Sequence, residues 1–148
     1  MAGRIAECDG GHAVPGTHFA GREEFTGTLT GEYVDHGVSF FSTLAPSSNE
    51  ARQLGSGIAP QDVDNYLLEV DRPLVVPQGR KVRVLVTAND VIHAWWVPDF
   101  GIKRDAIPGY INEMWFRADK PGVYRGQCAE LCGRDHGFMP VVVEVKSQ

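Results

Sequence analysis

Apolar residues in this chain fall into short bursts rather than long periodic runs. The clearest burst is 81–87, where Val82, Val84 and Val86 alternate with Lys81, Arg83 and Leu85. Successive side chains of a strand point to opposite faces, so this repeat marks a half-buried β-strand. Further strands are predicted at 66–70, 91–97, 113–118, 123–127 and 140–145, separated by turns such as Lys120-Pro121-Gly122. Prolines bound the segment 73–77, which suits a sheet edge or a strand end because proline cannot donate to a ladder. The aromatic stretch 32–44 suits a first strand or hairpin. Residues 45–62, rich in Ser, Pro, Gly and Asn, predict a long loop with a helical turn around 50–54. Six to eight short strands and no long helix predict an all-β fold, an antiparallel sandwich or barrel.

The 148 residues suffice for one domain with its own core. Residues 1–31 show no sustained period and are expected to be a poorly ordered or appended leader before a domain over 32–148. In that leader Cys8, His12 and His18 read as parts of a solvated tail rather than as a metal site. With 14 basic and 19 acidic residues the formal charge is −5. Nucleic-acid binding needs clustered cations, so that class is excluded, and a basic protein is the more natural partner. No apolar run approaches the roughly 18 residues that cross a bilayer, and the N-terminus lacks the apolar core of a signal peptide. The chain is expected to be soluble.

Candidate chemistry is concentrated in the stretch from Cys128 to Pro140, where Cys128, Cys132, His136 and Met139 fall within twelve residues. Helical spacing would align these four side chains as a packed stripe. Gly133, Gly137 and Pro140 oppose a helix, and Val141-Val142-Val143 reads as a strand, so a loop between strands is predicted. Zinc accepts cysteine and histidine at such spacing but leaves the thioether unexplained. Thiolate, imidazole and thioether together suit copper. A mononuclear copper site uses one thiolate, whereas two thiolates can bridge a pair of coppers, each needing a further strong ligand. A second imidazole must then come from elsewhere in the chain. His93, within the apolar segment 91–97, is the candidate, and His36 is not.

Residues from about 32 to 145 resemble the soluble copper domain of subunit II of the haem–copper cytochrome c oxidases. The likeness lies in 67–76, in Asn89-Asp90-Val91-Ile92-His93, in Lys103-Arg104-Asp105-Ala106-Ile107-Pro108-Gly109, and in the whole 128–140 loop. It implies a cupredoxin-like Greek-key β-sandwich carrying the dinuclear centre called CuA. Cys128 and Cys132 would then be bridging thiolates and His93 and His136 terminal imidazoles, with Met139 and the Glu130 carbonyl as weaker ligands. It also implies a magnesium ion at the Glu130 side chain in the intact complex, and a place for Asp90 on the acidic surface that docks cytochrome c. Trp95, Trp96 and Phe138 would keep water from the centre.

Two departures stand out. The resemblance implies two transmembrane helices before the domain, which residues 1–31 are not expected to form, and the family's tryptophan-rich segment is replaced by Leu29-Thr30-Gly31-Glu32-Tyr33. The resemblance implies an electron-transfer module, not a self-sufficient enzyme, on the periplasmic face of a bacterial membrane. It would receive electrons from cytochrome c and pass them to haem of subunit I. The rivals are the copper domain of nitrous oxide reductase, the copper-free subunit of quinol oxidases, and a zinc-stabilised structural domain.

Overall fold

The computed structural model describes residues 2–8 and 38–147. Three antiparallel pairings build the first sheet, in the order β2-β1-β4-β7, from Val38–Phe41 (β2), Ala2–Cys8 (β1), Lys81–Thr87 (β4) and Asn112–Arg117 (β7). The second sheet runs β3-β9-β8, from Leu74–Pro77 (β3), Pro140–Lys146 (β9) and Gly122–Gln127 (β8). His93–Val97 (β5) and Ile102–Ala106 (β6) form an antiparallel ribbon, and a short helix α1 spans Pro46–Ala51.

The alternation along 81–87 is realised in β4, where Val82, Val84 and Val86 are buried. Opposite them β7 turns in Met114 and Phe116, and β9 turns in Val143 and Val145. A ring stack joins the parts of this core. Phe116 lies 6.1 Å from Trp95 of β5 and 4.2 Å from Phe100, and Phe100 lies 4.9 Å from Tyr124 of β8. Offset aromatic contacts of this kind add to ordinary burial and tie facing sheets together.

Several expectations are corrected. Residues 66–70 are not a strand, since Asn65 and Leu67 have φ of 50° and 61°, and only Val70 makes a bridge, to Leu44. The segment turns because Ser48 Oγ takes the Leu67 amide and Arg125 Nε donates to the Leu68 carbonyl. The helical turn sits earlier than 50–54, at Pro46–Ala51, because Pro46 suits the first turn of a helix. β6 was not foreseen. Its Lys103, Arg104 and Asp105 are exposed, and it becomes a strand by pairing with β5. The β3–β9 pair is parallel, whereas the other strand pairs described are antiparallel, and β3 is an edge as its prolines predict.

Ala2–Cys8 lies in the expected leader yet forms β1, between β2 and β4, so that nine strands are found among the described residues. The readings of His12, His18 and His36, of the rest of the leader, and of 32–37 fall outside the described residues. Among the described residues no helix is long and apolar enough to cross a membrane.

Candidate metal centre

The site forms where β5 begins and β8 ends, and one glycine makes that junction possible. A Cβ on Gly126 would lie 1.7 Å from the Trp96 carbonyl oxygen, so only glycine lets β8 press its backbone against β5. Three residues further on, the Ala129 amide donates to the Ala94 carbonyl at 3.0 Å. Cys128 therefore comes to rest beside His93. The loop closes at its base, where the Cys128 amide donates to the Met139 carbonyl at 3.2 Å and Gln127 pairs with Pro140. Gly133, with φ of 118°, starts the return. A 3-10 turn over His136–Phe138 completes it, with the His136 amide on the Gly133 carbonyl and the Phe138 amide on the Asp135 carbonyl.

This framework brings the six predicted residues together. Cys128 Sγ is 3.8 Å from Cys132 Sγ and 3.9 Å from His93 Nδ1. Cys132 Sγ is 3.5 Å from His136 Nδ1 and 3.4 Å from Met139 Sδ. The Cys128 thiol donates to the Glu130 carbonyl at 3.3 Å, while the Glu130 side chain is exposed. His93 and Cys128 are buried, and Cys132, His136 and Met139 are half-buried. His93, Cys128 and Cys132 offer ligand atoms that all lie within 4.8 Å of one another.

Electrostatics prepare the donors. Asp90 Oδ1 lies 2.7 Å from His93 Nε2. A carboxylate there accepts the Nε2 proton and leaves the Nδ1 lone pair facing Cys128, an outer contact that orients an imidazole for a metal. The same hydrogen bond holds the exposed Asp90 carboxyl below its usual value. Burial, followed by the contact with Cys128, pushes the Cys132 thiol up to about 11, so a metal must displace its proton. Paired thiols, two imidazoles and a thioether are the donor chemistry of copper rather than of zinc or magnesium, and the residues present fit it.

The surrounding aromatics have different parts. Trp95 is buried in the core stack, Trp96 is 40% exposed, and Phe138 lies under the Arg52 guanidinium. Val91, Ile92 and Leu131, next to His93 and Cys132 in the chain, are exposed. Two polar side chains escaped the sequence reading. Asp90 was assigned only a surface role, although its spacing of three residues from His93 was a usable signal. Arg52, far away in the chain, left none.

A β-sandwich with sulfur and imidazole donors gathered between two strands and a loop defines a cupredoxin-like copper domain. The family described as cytochrome c oxidase subunit II, periplasmic domain, matches residues 25–146, and the chain belongs to it. The chain is similar to cytochrome c oxidase subunit 2 of Cereibacter sphaeroides, at 41% identity over 79% of this chain and 41% of that one. It is also similar to that of Albinaria caerulea, at 45% identity over 71% of this chain and 48% of the other. It thus spans less than half the length of these relatives. Among solved structures, the periplasmic domain of subunit II of cytochrome oxidase of Bradyrhizobium japonicum superposes with a TM-score of 0.61. Identity there is 45%, covering 74% of this chain and 69% of that one. A mixed disulfide between a thioredoxin-like protein and subunit II of cytochrome c oxidase superposes with a TM-score of 0.52, at 43% identity over 74% and 66% of the two chains.

Proposed function

We propose that this domain carries electrons through a dinuclear CuA centre. The observation that supports the reading best is the sulfur pair, 3.8 Å apart, with an imidazole nitrogen beside each sulfur. Cys128, Cys132, His93 and His136 would hold the copper, with Met139 and the Glu130 carbonyl as weaker donors. When bound, the copper would supply one-electron redox chemistry between its two oxidation states.

The protein's part is to hold those donors still. Backbone contacts between β5 and β8 fix the relation of His93 to Cys128. Asp90 fixes the tautomer and direction of the His93 ring. Burial of His93 and Cys128 limits the water that would otherwise rearrange around a changing charge.

In the whole oxidase we place this domain on the periplasmic side, receiving electrons from cytochrome c and passing them to haem of subunit I. Asp90, with its exposed side chain, contributes to an acidic surface for a basic cytochrome, a role that favours fast association. In the intact complex the exposed Glu130 carboxylate would be available to hold a magnesium ion shared with subunit I. Both thiols must be reduced before copper enters. The related mixed disulfide with a thioredoxin-like protein motivates the same exchange at Cys128 or Cys132 here.

Copper titration followed by electron spin resonance tests the reading. The expected result is two coppers per chain, a purple colour, and a signal split by both nuclei. Saturation at one copper with a blue spectrum would overturn it, and preferential zinc binding with no paired-copper spectrum would favour the structural alternative.

A further inference from the structure

Helix α1 supplies no donor to the site, yet the residue that caps it reaches the outer half of the loop. Arg52 is first fixed at its own end, where Nε donates to Asn49 Oδ1 at 2.8 Å. Its guanidinium carbon stands 4.3 Å from the centre of the Phe138 ring, and its Nη1 lies 3.7 Å from Asp135 Oδ1. Asp135 and Phe138 are the two ends of one turn, joined by the Phe138 amide and the Asp135 carbonyl at 2.9 Å. His136 lies inside that turn and Met139 follows it directly. A single planar cation thus grips the turn at both ends, with its face on the ring and its edge on the carboxylate.

The grip has a firm base. Ser48 of α1 is fully buried and accepts the Leu67 amide at 3.0 Å, and Glu69 beyond it pairs with Arg125 of β8 at 2.7 Å. α1 is therefore tied to the same strand that leads into Cys128. The Asp135 contact is long and open to water, so the stacking on Phe138 contributes more than the ion pair does.

We propose that Arg52 is a positioning residue, which through Phe138 and Asp135 holds the turn that aims His136 and Met139 at Cys132. The inference rests on the copper reading of the site. A thioether is the ligand whose approach tunes a copper centre, and Met139 Sδ lies 3.4 Å from Cys132 Sγ at the end of the gripped turn. Loosening the grip therefore changes both the hold on copper and the potential.

The test compares Arg52→Ala, Arg52→Lys, Phe138→Leu and the Arg52→Ala/Phe138→Leu double variant. In the metal-free chain, hydrogen exchange of the Phe138 amide reads the turn directly. In the copper-loaded chain, release of copper to a chelator and the midpoint potential read the ligands. Arg52→Ala should speed amide exchange and copper release about fivefold each, equivalent to about 1 kcal/mol, and should shift the potential. Arg52→Lys keeps the charge but not the flat face and should recover only part of the effect. It also carries the comparison if Arg52→Ala does not fold. In the Phe138→Leu background the alanine change should add little.

Unchanged exchange and release in Arg52→Ala would overturn the proposal. So would a full effect that persists without the Phe138 ring, or complete rescue by lysine. If the wild-type chain takes up no copper pair, the copper reading fails while amide exchange still judges the grip. If the wild-type spectrum is as expected and Arg52→Ala leaves every readout unmoved, the positioning role alone fails.

Discussion

The two halves of the site are held in different ways. His93 and Cys128 sit inside the sandwich, 5% and 6% exposed, and their relation is set by strand backbones in direct contact. Cys132, His136 and Met139 sit half-buried at the rim, on a loop shaped by one glycine, a three-residue turn and side-chain contacts. Main-chain packing of two strands cannot shift without unfolding a sheet, whereas a rim turn moves at the cost of a few weak contacts. The inner half is built for permanence, and the outer half is where distance to a metal can be adjusted.

Gly126→Ala should break the inner half with the largest effect. The new methyl carbon would meet main-chain atoms of Trp96 and Val97, which cannot swing aside, so a loss of roughly 3 kcal/mol is expected in denaturant unfolding. Gly137→Ala in the outer half meets nothing within 4 Å and should stay within about 0.5 kcal/mol of the parent. Equal losses for the two would erase the distinction between the halves.

Cys128→Ser and Cys132→Ser come next, one from each half. Each should abolish the paired-copper resonance while the metal-free fold survives, measured by resonance after copper loading and by thermal unfolding. A paired spectrum surviving either change would show that both halves are not needed together.

The metal-free chain should also show an alkaline loss of stability that belongs to the outer half. Below pH 9.0 folded and unfolded chains both keep the Cys132 proton, and the group's full contribution is present. As pH rises above 9.0 the unfolded chain sheds that proton while the folded chain retains it up to about 11, so stability falls across that window. Urea midpoints across the same window should decline in the parent and decline less in Cys132→Ser.

Met139→Leu should have the smallest effect on assembly. Two coppers remain and the potential changes, as measured by redox titration, because a weak ligand is lost while both thiolates and both imidazoles stay. Loss of all metal would make Met139 a primary ligand and the outer half as rigid in its demands as the inner one.

Much of this arrangement was legible before any coordinates. β4 was read to its end residues because its valines alternate and its core face is buried along the whole strand. The loop donors were legible because Cys128, Cys132, His136 and Met139 lie within one short connection, so spacing alone kept them close. His93 was reached by counting the ligands two thiolates would need, and by resemblance. Residues 66–70 misled because their apolar pattern favours a strand, while contacts from Ser48 and Arg125 bend them into a turn.

What the amino-acid order determined by itself was local. It set which segments alternate, where prolines and glycines interrupt them, and which donors a single loop can present. Only the tertiary structure decided that Ala2–Cys8 and the charged Ile102–Ala106 become strands, that Asp90 orients His93, and that Arg52 closes over Phe138. Each of those outcomes depends on partners supplied by packing: a ladder edge waiting for its mate, a ring nitrogen turned toward a carboxylate, a cation brought to an aromatic face. Periodicity reports how a residue stands relative to its own neighbours, and carries nothing about the surface that folding will lay against it.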